Sequence, residues 1–173
     1  LISKIYKNKK IDFAIFTGLA GATNLDLKQW DIVISESLMQ HDMNASPLFE
    51  KFIIPPINKK EISVESNLVK FFLKYLKKEK KNILKDYGSV NKGLIATGDS
   101  FISDKNRLDE LRLEMPNLLA VEMEGASFGQ VCYQEKLDWI VVRVISDNAN
   151  DSAQEDFSDF LSKYKSKSIN LIT

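Results

Sequence analysis

The stretch VEMEGASFGQ, residues 121–130, decides the fold, because it joins two apolar runs that have the composition of buried strands. The run LLA ends directly before it, and WIVVRVISD follows at residues 139–147. Between the two runs, the small residues of segment 126–135 predict a helix. A strand, a helix and a second strand in this order are typical of an α/β layer.

The same alternation continues along the chain. Apolar runs rich in Ile, Val and Phe predict buried strands at residues 11–18, 31–35, 92–101, 118–124 and 139–146. The intervening segments have helical spacing, with apolar positions at Leu68, Val69, Phe72, Tyr75 and Leu76, at Leu108, Leu111 and Met115, and at Phe157, Phe160, Leu161 and Tyr164. We therefore expect one α/β domain over residues 1–173, with a central mixed, mostly parallel sheet flanked by helices.

Residues 38–61 are the least regular part of the chain. They contain Pro47, Pro55 and Pro56, but their aromatic and aliphatic content is too high for a disordered spacer. We interpret this segment as an ordered excursion between two elements of the domain.

Composition excludes several classes of function. Lys plus Arg and Asp plus Glu number 24 each, so no overall field favours nucleic acid or an anionic membrane as a partner. A single cysteine, Cys132, excludes an internal disulfide, and a single histidine, His41, excludes a site with two imidazoles. No apolar run approaches the roughly 20 residues of a membrane helix. We expect a cytoplasmic protein without metal or cofactor, and the lysine cluster at 74–82 is interpreted as a solvated helix end.

Glu122 and Glu124 are unusual in a strand that is predicted to be buried. Alternation would place both on one face of the strand and Met123 on the other. Two buried carboxylates need donors or cations. For Glu122 we favour an ion pair with Arg143 on the adjacent strand, whereas Glu124 would face a ligand crevice, where it can accept hydrogen bonds from vicinal sugar hydroxyls.

Three further motifs are weaker when each is taken alone. Asp147 ends the stretch RVISD, where it is either a cap or turn residue or part of a site. The stretch TGLAGA, residues 17–22, follows a predicted strand, and its small residues would let backbone N–H groups approach a ligand. In TGDSFI, residues 97–102, Phe101 as a lone aromatic is more often core.

Taken together, TGLAGA, QHD at 40–42, TGDSFI, AVEMEGAS at 120–127 and VVRVISD at 141–147 resemble the purine nucleoside phosphorylase superfamily. Within it they are most similar to the 5′-methylthioadenosine/S-adenosylhomocysteine nucleosidases. The resemblance covers residues 11 to 161. It implies a nucleoside phosphorylase-like fold and hydrolysis of the bond between adenine and ribose.

For the base, the resemblance implies that Asp147 is the general acid at adenine N7 and that Ser146 orients it. Protonation at N7 lets the base leave neutral, and a carboxyl group that keeps its proton in a partly buried place can supply it. Phe101 would stack on adenine, and the backbone of Ile102 would read the base edge.

For the sugar, the resemblance implies that Glu124 holds the ribose hydroxyls, that Met123 packs on the ring and that Glu122 contacts the same region. The backbone of Ala20 and Gly21 would also meet the substrate, and Phe157 would cover the alkylthio group. Arg143 is the retained member of a trio that holds the attacking water. A homodimer is implied as well, with Leu48 and Pro55 as candidates to reach the neighbour's site.

Two departures from the family pattern are expected to matter. The strand and helix that carry the water-activating Glu should precede this chain, so we expect an N-terminally truncated domain whose own activity is open. Leu19 stands where the family often has Ser.

Three alternatives to a nucleosidase remain. A phosphorylase is the first, although related phosphorylases place an Arg close before the glycine turn and IDFAIFTGLAGA has none. A non-catalytic nucleoside-binding relative is the second. A polyanion-binding or adhesive role, which the lysine cluster at 74–82 alone favours, is the third.

Overall fold

The structure of the chain is a computed structural model that describes residues 11–167, with side chains up to residue 164. Its strands are β1 Phe13–Ala22, β2 Ile32–Gln40, β3 Glu61–Ser63, β4 Val90–Thr97, β5 Leu118–Glu122 and β6 Asp138–Asp147. Its helices are α1 Ser66–Glu79, α2 Lys105–Glu114, α3 Gly125–Gln134 and α4 Ala153–Lys167. The predicted alternation of strands and helices is confirmed.

The six strands form one mixed sheet in the order β3-β2-β4-β5-β1-β6. The β1–β6, β2–β4 and β4–β5 pairs run parallel and have the longer ladders, whereas β1–β5, β2–β3 and β2–β6 are short antiparallel pairs. Because one edge of β2 pairs with β6 at residues 32–34 and with β3 at residues 37–39, the sheet closes on itself. The mixed, mostly parallel α/β prediction is confirmed, and the closure is a feature that the sequence did not predict.

Capping and burial explain where the first two helices begin. Glu65 precedes α1, and its carboxylate accepts from the backbone N–H of Leu68 at 2.8 Å. Asp104 precedes α2 and accepts from the N–H of Arg107 at 2.7 Å. A cap of the Asp type contributes about 0.5–2 kcal/mol. The apolar faces of both helices then pack on the sheet, burying Val69, Phe72 and Leu76 in α1 and Leu108 and Leu111 in α2.

Residues 41–60 are ordered turns between β2 and β3, so an ordered excursion is confirmed, but residues 38–40 of the expected span 38–61 belong to β2 and residue 61 begins β3. A bridge between Ile54 and Lys59 closes a turn within the segment, and an ion pair between Lys51 and Glu114 links the segment to the end of α2. Ile54 is 1% exposed, so the segment contributes to the core. Within residues 11–167, no helix combines the length and the apolar character that crossing a membrane requires.

Several boundary predictions were wrong, and one of them is β2, which continues to Gln40 where a strand over residues 31–35 was expected. The segment TGLAGA does not follow β1 but forms its second half, because Gly21 and Ala22 pair with β5. Strand β5 ends at Glu122 instead of residue 124, and β4 ends at Thr97 instead of residue 101. Both strands therefore end earlier than expected, at the carboxyl edge of the sheet, and are followed there by a loop or by the start of a helix.

Candidate active site

A cavity of about 360 Å³ lies at the carboxyl ends of β1, β5 and β6. It brings together residues from five separate segments of the chain. The predicted site residues that line it are Ala20, Gly21, Phe101, Glu122, Met123, Glu124, Arg143, Ser146, Asp147 and Phe157. Ile102 lines a small adjoining cavity of about 30 Å³ that shares Phe101 and Asp147 with the first. The structure thus places every predicted site residue in one region.

A larger groove of about 620 Å³ lies elsewhere, over β2, β4 and the end of α2. None of the predicted site residues lines it. Three of its four charged groups are engaged, since Lys92 pairs with Glu36 and Glu114 pairs with Lys51, and Glu61 is the fourth. We place the site in the smaller cavity because it is lined by the buried carboxyl group of Asp147, the exposed carboxylate of Glu124, the cation of Arg143 and the rings of Phe101 and Phe157.

Arg143 and Glu122 form an ion pair beneath the cavity. Each side chain is 2% exposed, and Arg143 Nη2 donates to Glu122 Oε2. The sequence led us to expect the two residues on adjacent strands, and this was wrong, because β1 lies between β5 and β6. Gly18 is the residue of β1 in register with Arg143, and a Cβ there would overlap the guanidinium group. Because Gly18 has no side chain, the Arg143 side chain has room to cross β1 and reach Glu122. We call this gap the passage over β1.

The aromatic ring of Phe16 completes the surroundings of Arg143. The guanidinium carbon of Arg143 lies 4.4 Å from the ring centroid, a distance at which the cation is attracted to the ring face. Arg143 is held by a carboxylate at its tip and by a ring along its side, which leaves it little freedom to move.

The carboxylate of Glu122 accepts hydrogen bonds from several directions. Its donors are the backbone N–H of Gly125, at 2.9 Å from Oε1 and 2.8 Å from Oε2, the N–H of Glu124 at 3.2 Å, and the hydroxyl of Thr97. The favoured interpretation of Glu122 as the partner of Arg143 is confirmed by this geometry. Both of its oxygens are occupied by protein groups.

Met123 and Glu124 do not alternate with Glu122 across a strand. Because β5 has ended, Glu124 is the residue that precedes α3, and all three side chains line the same cavity. The side chain of Glu124 is 64% exposed, and its Oε2 lies 3.8 Å from Arg143 Nη2. Of the two carboxylates Glu122 and Glu124, Glu124 is thus the one that remains open to a ligand.

Asp147 ends β6 inside the cavity and is 1% exposed. Its Oδ2 lies 2.7 Å from Ser146 Oγ, and its Oδ1 accepts from the N–H of Ala149 at 2.9 Å. The bond to Ala149 is a turn contact, so the turn role and the site role coexist in this residue. Burial raises the pKa of Asp147 above its ordinary value, while the bonds from Ser146 and Ala149 oppose the shift and Asp156 adds to it.

Ser146 offers Asp147 a way to keep a proton. Ser146 Oγ also lies 3.2 Å from the backbone oxygen of Ala20, so its hydroxyl can donate to that oxygen while it accepts from a protonated Asp147. The arrangement can therefore satisfy both protonation states of the carboxyl group.

Two aromatic rings form the outer wall. Phe101 lies in the loop after β4 and Phe157 in α4, with ring centroids 5.8 Å apart and ring planes at 70°. Phe101 is 45% exposed and is therefore not an ordinary core residue. Ile102, by contrast, is buried at 7% exposure.

The QHD motif supports the loop that carries Phe101 but does not line the cavity. His41 is 2% exposed and packs on the backbone of Gly98, and neither ring nitrogen has a hydrogen-bond partner within residues 11–167. Burial is the main cause that lowers the pKa of His41. Asp42 accepts from the N–H of Asp99 at 2.7 Å. Together they fix both sides of the turn after β4.

Some predicted features lie outside the cavity, and some features of the site were missed. Leu48, at 85% exposed, and Pro55 do not line the cavity, so their assignment to a partner's site stays a prediction. Gly18 and Thr97 were quoted only as letters of longer motifs, although they set the positions of Arg143 and Glu122. In the described part of the chain, no group of three or more His, Cys, Asp or Glu side chains could hold a metal ion.

Comparisons with known proteins agree with this geometry. Residues 5–173 match the sequence profile of the Phosphorylase superfamily. A 5′-methylthioadenosine/S-adenosylhomocysteine nucleosidase of Bacillus cereus is 35% identical over 167 residues, which are 96% of this chain and 68% of that protein.

Solved structures give the same result. The S-adenosylhomocysteine nucleosidase of Streptococcus pyogenes, in complex with 5-methylthiotubericidin, superposes with a TM-score of 0.82 at 31% identity, over 98% of this chain and 70% of that one. The corresponding nucleosidase of Colwellia psychrerythraea, in complex with adenine, has a TM-score of 0.81 at 29% identity, over 99% and 67%. The chain thus spans about two thirds of the length of these proteins.

Proposed function

The chain belongs to the Phosphorylase superfamily and, within it, to the 5′-methylthioadenosine/S-adenosylhomocysteine nucleosidases, and we propose that the protein hydrolyses the N-glycosidic bond of both nucleosides. The products are adenine and the corresponding thioribose. The single observation that carries the residue assignments is that two carboxyl groups line one cavity. Asp147 is buried and has a raised pKa, whereas Glu124 is exposed and can accept hydrogen bonds from the ribose hydroxyls.

Asp147 is proposed as the general acid. When the bond between C1′ and the base breaks, electrons flow into the purine, and a proton delivered to N7 lets adenine leave without negative charge. Burial supports this role, since it raises the pKa of the carboxyl group and so favours the protonated form. Ser146, whose Oγ lies 2.7 Å from Asp147 Oδ2, fixes the orientation of the carboxyl group, and the acidic proton turns from Ser146 to N7 as the bond breaks.

Glu124 and Met123 are proposed to hold the sugar. Glu124 is the carboxylate in the cavity that is exposed, and a carboxylate can accept from two vicinal hydroxyls at once. Those hydrogen bonds strengthen as the ribose becomes an oxocarbenium ion, because positive charge develops next to the hydroxyls. The apolar side chain of Met123, 41% exposed, offers a surface for one face of the ring.

The aromatic wall is proposed to hold the two ends of the nucleoside. Phe101 stacks on adenine near Asp147, and the backbone of Ile102 meets the base edge in the adjoining cavity. Phe157 covers the 5′-thio substituent, and the edge-to-face contact with Phe101 keeps the two rings in fixed relation.

Water rather than phosphate is the proposed nucleophile. Arg143 is the only cationic side chain among the described residues that line the cavity, and its charge is already matched by Glu122. A phosphate dianion would need a cation that is free to bind it. Phosphorolysis is therefore the second candidate, and a phosphate requirement for base release would favour it.

A homodimer in the cytoplasm, acting in methionine salvage, completes the proposal. The exposed Leu48 is the residue in segment 41–60 best placed to meet a second copy. A nucleoside-binding relative without turnover is a weaker candidate, because pure binding would not require a buried acid at the base. Polyanion binding through the exposed lysines of α1 would weaken steeply with salt.

The experiment that tests the proposal is adenine release from 5′-methylthioadenosine in phosphate-free buffer. The complete gene product and the 173-residue chain are assayed side by side, each with and without added phosphate. Release without phosphate supports hydrolysis, and release only with phosphate supports the phosphorylase. Binding of adenine without release from either protein would contradict the proposal and leave the binding relative.

A further inference from the structure

Thr97, the last residue of β4, is 2% exposed and does not line the cavity. Its hydroxyl donates to Glu122 Oε1 and accepts from the backbone N–H of Ala126 at 2.8 Å. One small side chain thus connects the end of β4, the end of β5 and the first turn of α3.

The hydroxyl fixes the rotation of the Glu122 carboxylate. Oε1 accepts from the hydroxyl of Thr97, Oε2 accepts from Arg143 and from the N–H of Glu124, and the N–H of Gly125 lies within hydrogen-bond distance of both oxygens. The terminal bond of a Glu side chain rotates in a broad, two-fold potential, so the side chain has no strong preference of its own. The donors around it therefore decide the orientation, and among the described residues Thr97 is the one side-chain donor to Oε1.

The hydroxyl also completes the start of α3. The first N–H groups of a helix have no acceptor within the helix. The side chain of Glu124, which precedes α3, makes no capping bond to it. Glu122 accepts from Gly125 and Thr97 accepts from Ala126, so two neighbouring strands provide the cap. Glu124 is carried into the cavity by the backbone that these bonds hold.

We propose that Thr97 is a positioning residue of the nucleosidase site, whose hydroxyl orients Glu122 and, through it, Arg143 and the helix start that presents Glu124. The inference rests on the proposed function, since it states which residue sets the sugar side of that site. Thr97 itself touches no substrate.

The backbone of Thr97 is held independently of its side chain. Its carbonyl oxygen accepts from the N–H of His41 at 2.9 Å, and the following residue, Gly98, donates to the backbone oxygen of Glu122 at 3.1 Å. These bonds persist whichever side chain stands at position 97. A substitution there therefore tests the hydroxyl and not the strand.

The experiment compares Thr97→Val and Thr97→Ser by steady-state release of adenine from 5′-methylthioadenosine. We expect Thr97→Val to lower kcat/KM by about ten- to a hundredfold, because it leaves a buried N–H unpaired and frees the carboxylate. Thr97→Ser restores most of the rate. The inhibition constant of adenine stays within about twofold, because the base lies on the Asp147 side of the cavity and a purely local change adds little at a distance.

A matched control exists in Thr23. It is 1% exposed, and its hydroxyl donates to the backbone oxygen of Leu118 at 2.8 Å, outside the cavity. Thr23→Val loses a buried hydrogen bond of the same kind, so it lowers thermal stability while the kinetic constants stay unchanged. Where Thr97→Val fails to fold, Thr97→Ala removes the same hydroxyl without a new methyl group against Glu122.

A double-mutant cycle with Glu122→Gln tests the route of the effect. If Thr97 acts mainly through Glu122, adding Thr97→Val to Glu122→Gln causes a much smaller further loss of kcat/KM than Thr97→Val causes in the wild-type protein, and the remainder comes from the N–H of Ala126. Independent losses that multiply overturn the proposal. So does a Thr97→Val rate equal to that of Thr23→Val, or a Thr97→Ser rate as low as that of Thr97→Val. A wild-type protein that releases no adenine contradicts the proposed function itself, which separates the two failures.

Discussion

Arg143 reaches Glu122 across an intervening strand, and the passage exists because Gly18 has no side chain. The guanidinium group crosses β1 at the residue with which Arg143 is in register and meets the carboxylate on the far side. Two charges that are 98% buried are thus paired over the backbone of a third strand. Removing either charge would leave the other unpaired in the interior, which costs about 3–5 kcal/mol.

Gly18→Ala tests this passage. The new methyl group overlaps Arg143 and displaces it from Glu122, so we expect a loss of about 1–3 kcal/mol in the free energy of unfolding, as for overpacked cores. A fall of kcat/KM of at least about tenfold accompanies it, because the sugar side of the cavity shifts. Urea unfolding and adenine release measure the two effects.

Gly129→Ala is the control for the passage. Its Cβ would also be crowded, at 2.7 Å from Leu38 Cδ1, but it lies on α3 away from the cavity. We expect its kcat/KM to stay within about twofold of wild type, since distant sites act independently. Equal kinetic losses in both variants would contradict a specific role for Gly18.

Asp147→Asn tests the general acid. An amide cannot deliver a proton to N7, so we expect turnover to fall by about 10²–10⁴-fold, the range for a positioned acid. The size and shape of the side chain are retained, so binding of a non-hydrolysable adenosine analogue persists. Single-turnover kinetics and calorimetry separate these effects, and turnover at the wild-type rate would remove Asp147 from the mechanism.

The same substitution should change stability with pH in a defined direction. Burial raises the folded-state pKa of Asp147, so the folded protein favours the protonated carboxyl. Its contribution is fully present below the ordinary pKa of Asp and is lost as pH rises through the raised folded value. Asn does not ionise, so the variant has no such loss. We expect the Tm of Asp147→Asn to exceed that of wild type at neutral pH, and we expect this difference in Tm to shrink at acid pH. A lower Tm of the variant at neutral pH would contradict this.

The sequence indicated the site residues more completely than it indicated their geometry. The resemblance grouped Glu124, Asp147 and Phe101 into one expected site, and the structure brings all three to one cavity, with Asp147 at the end of β6 and the other two beyond the ends of β5 and β4. Alternation failed at Glu122, Met123 and Glu124, because a strand period says nothing about the residue at which the strand ends. Strand boundaries depend on which neighbour offers hydrogen bonds, and that is decided by the closure of the sheet.

Gly18 and Thr97 could not be assigned from sequence for a related reason. A glycine in a strand usually indicates a bulge or close backbone approach, and here the approaching group is a side chain from a strand more than a hundred residues away. Thr97 is an ordinary β-branched strand residue until Glu122 is placed beside it. Neither role has a local pattern, since both arise from register between strands.

His41 should make stability fall in mild acid. It is the only histidine of the chain, and burial lowers its folded-state pKa below the usual 6.5. Of the nearby charges, Asp42 and Glu122 favour the imidazolium and Arg107 opposes it. Below pH 6.5 the unfolded chain therefore binds a proton at His41 that the folded chain does not bind. Stability that is present above pH 6.5 is lost as the pH falls through the lowered folded-state pKa of His41.

His41→Phe removes this titration and keeps a ring against Gly98. We expect the variant to lose less stability than wild type between pH 7 and 5, as measured by urea unfolding. The lone imidazole of an untagged protein gives a single Hε1 signal in the proton NMR spectrum, and its pH dependence reports the pKa of His41 directly. A signal that titrates at or above 6.5 would contradict the burial of a neutral ring.

Phe157→Ala tests the wall that faces the 5′-substituent. The ring meets Phe101 edge to face at 5.8 Å and is the part of α4 that lines the cavity. Removing it takes away an apolar surface for a methylthio group and the edge-to-face support of Phe101, but leaves Asp147 and Glu124 in place. We expect KM for 5′-methylthioadenosine to rise about ten- to a hundredfold, as for an aromatic contact of 1–3 kcal/mol. The KM for adenosine, whose hydroxyl gains little from an apolar wall, rises much less. Equal increases for both nucleosides would show that Phe157 shapes the whole cavity and does not select the thioether.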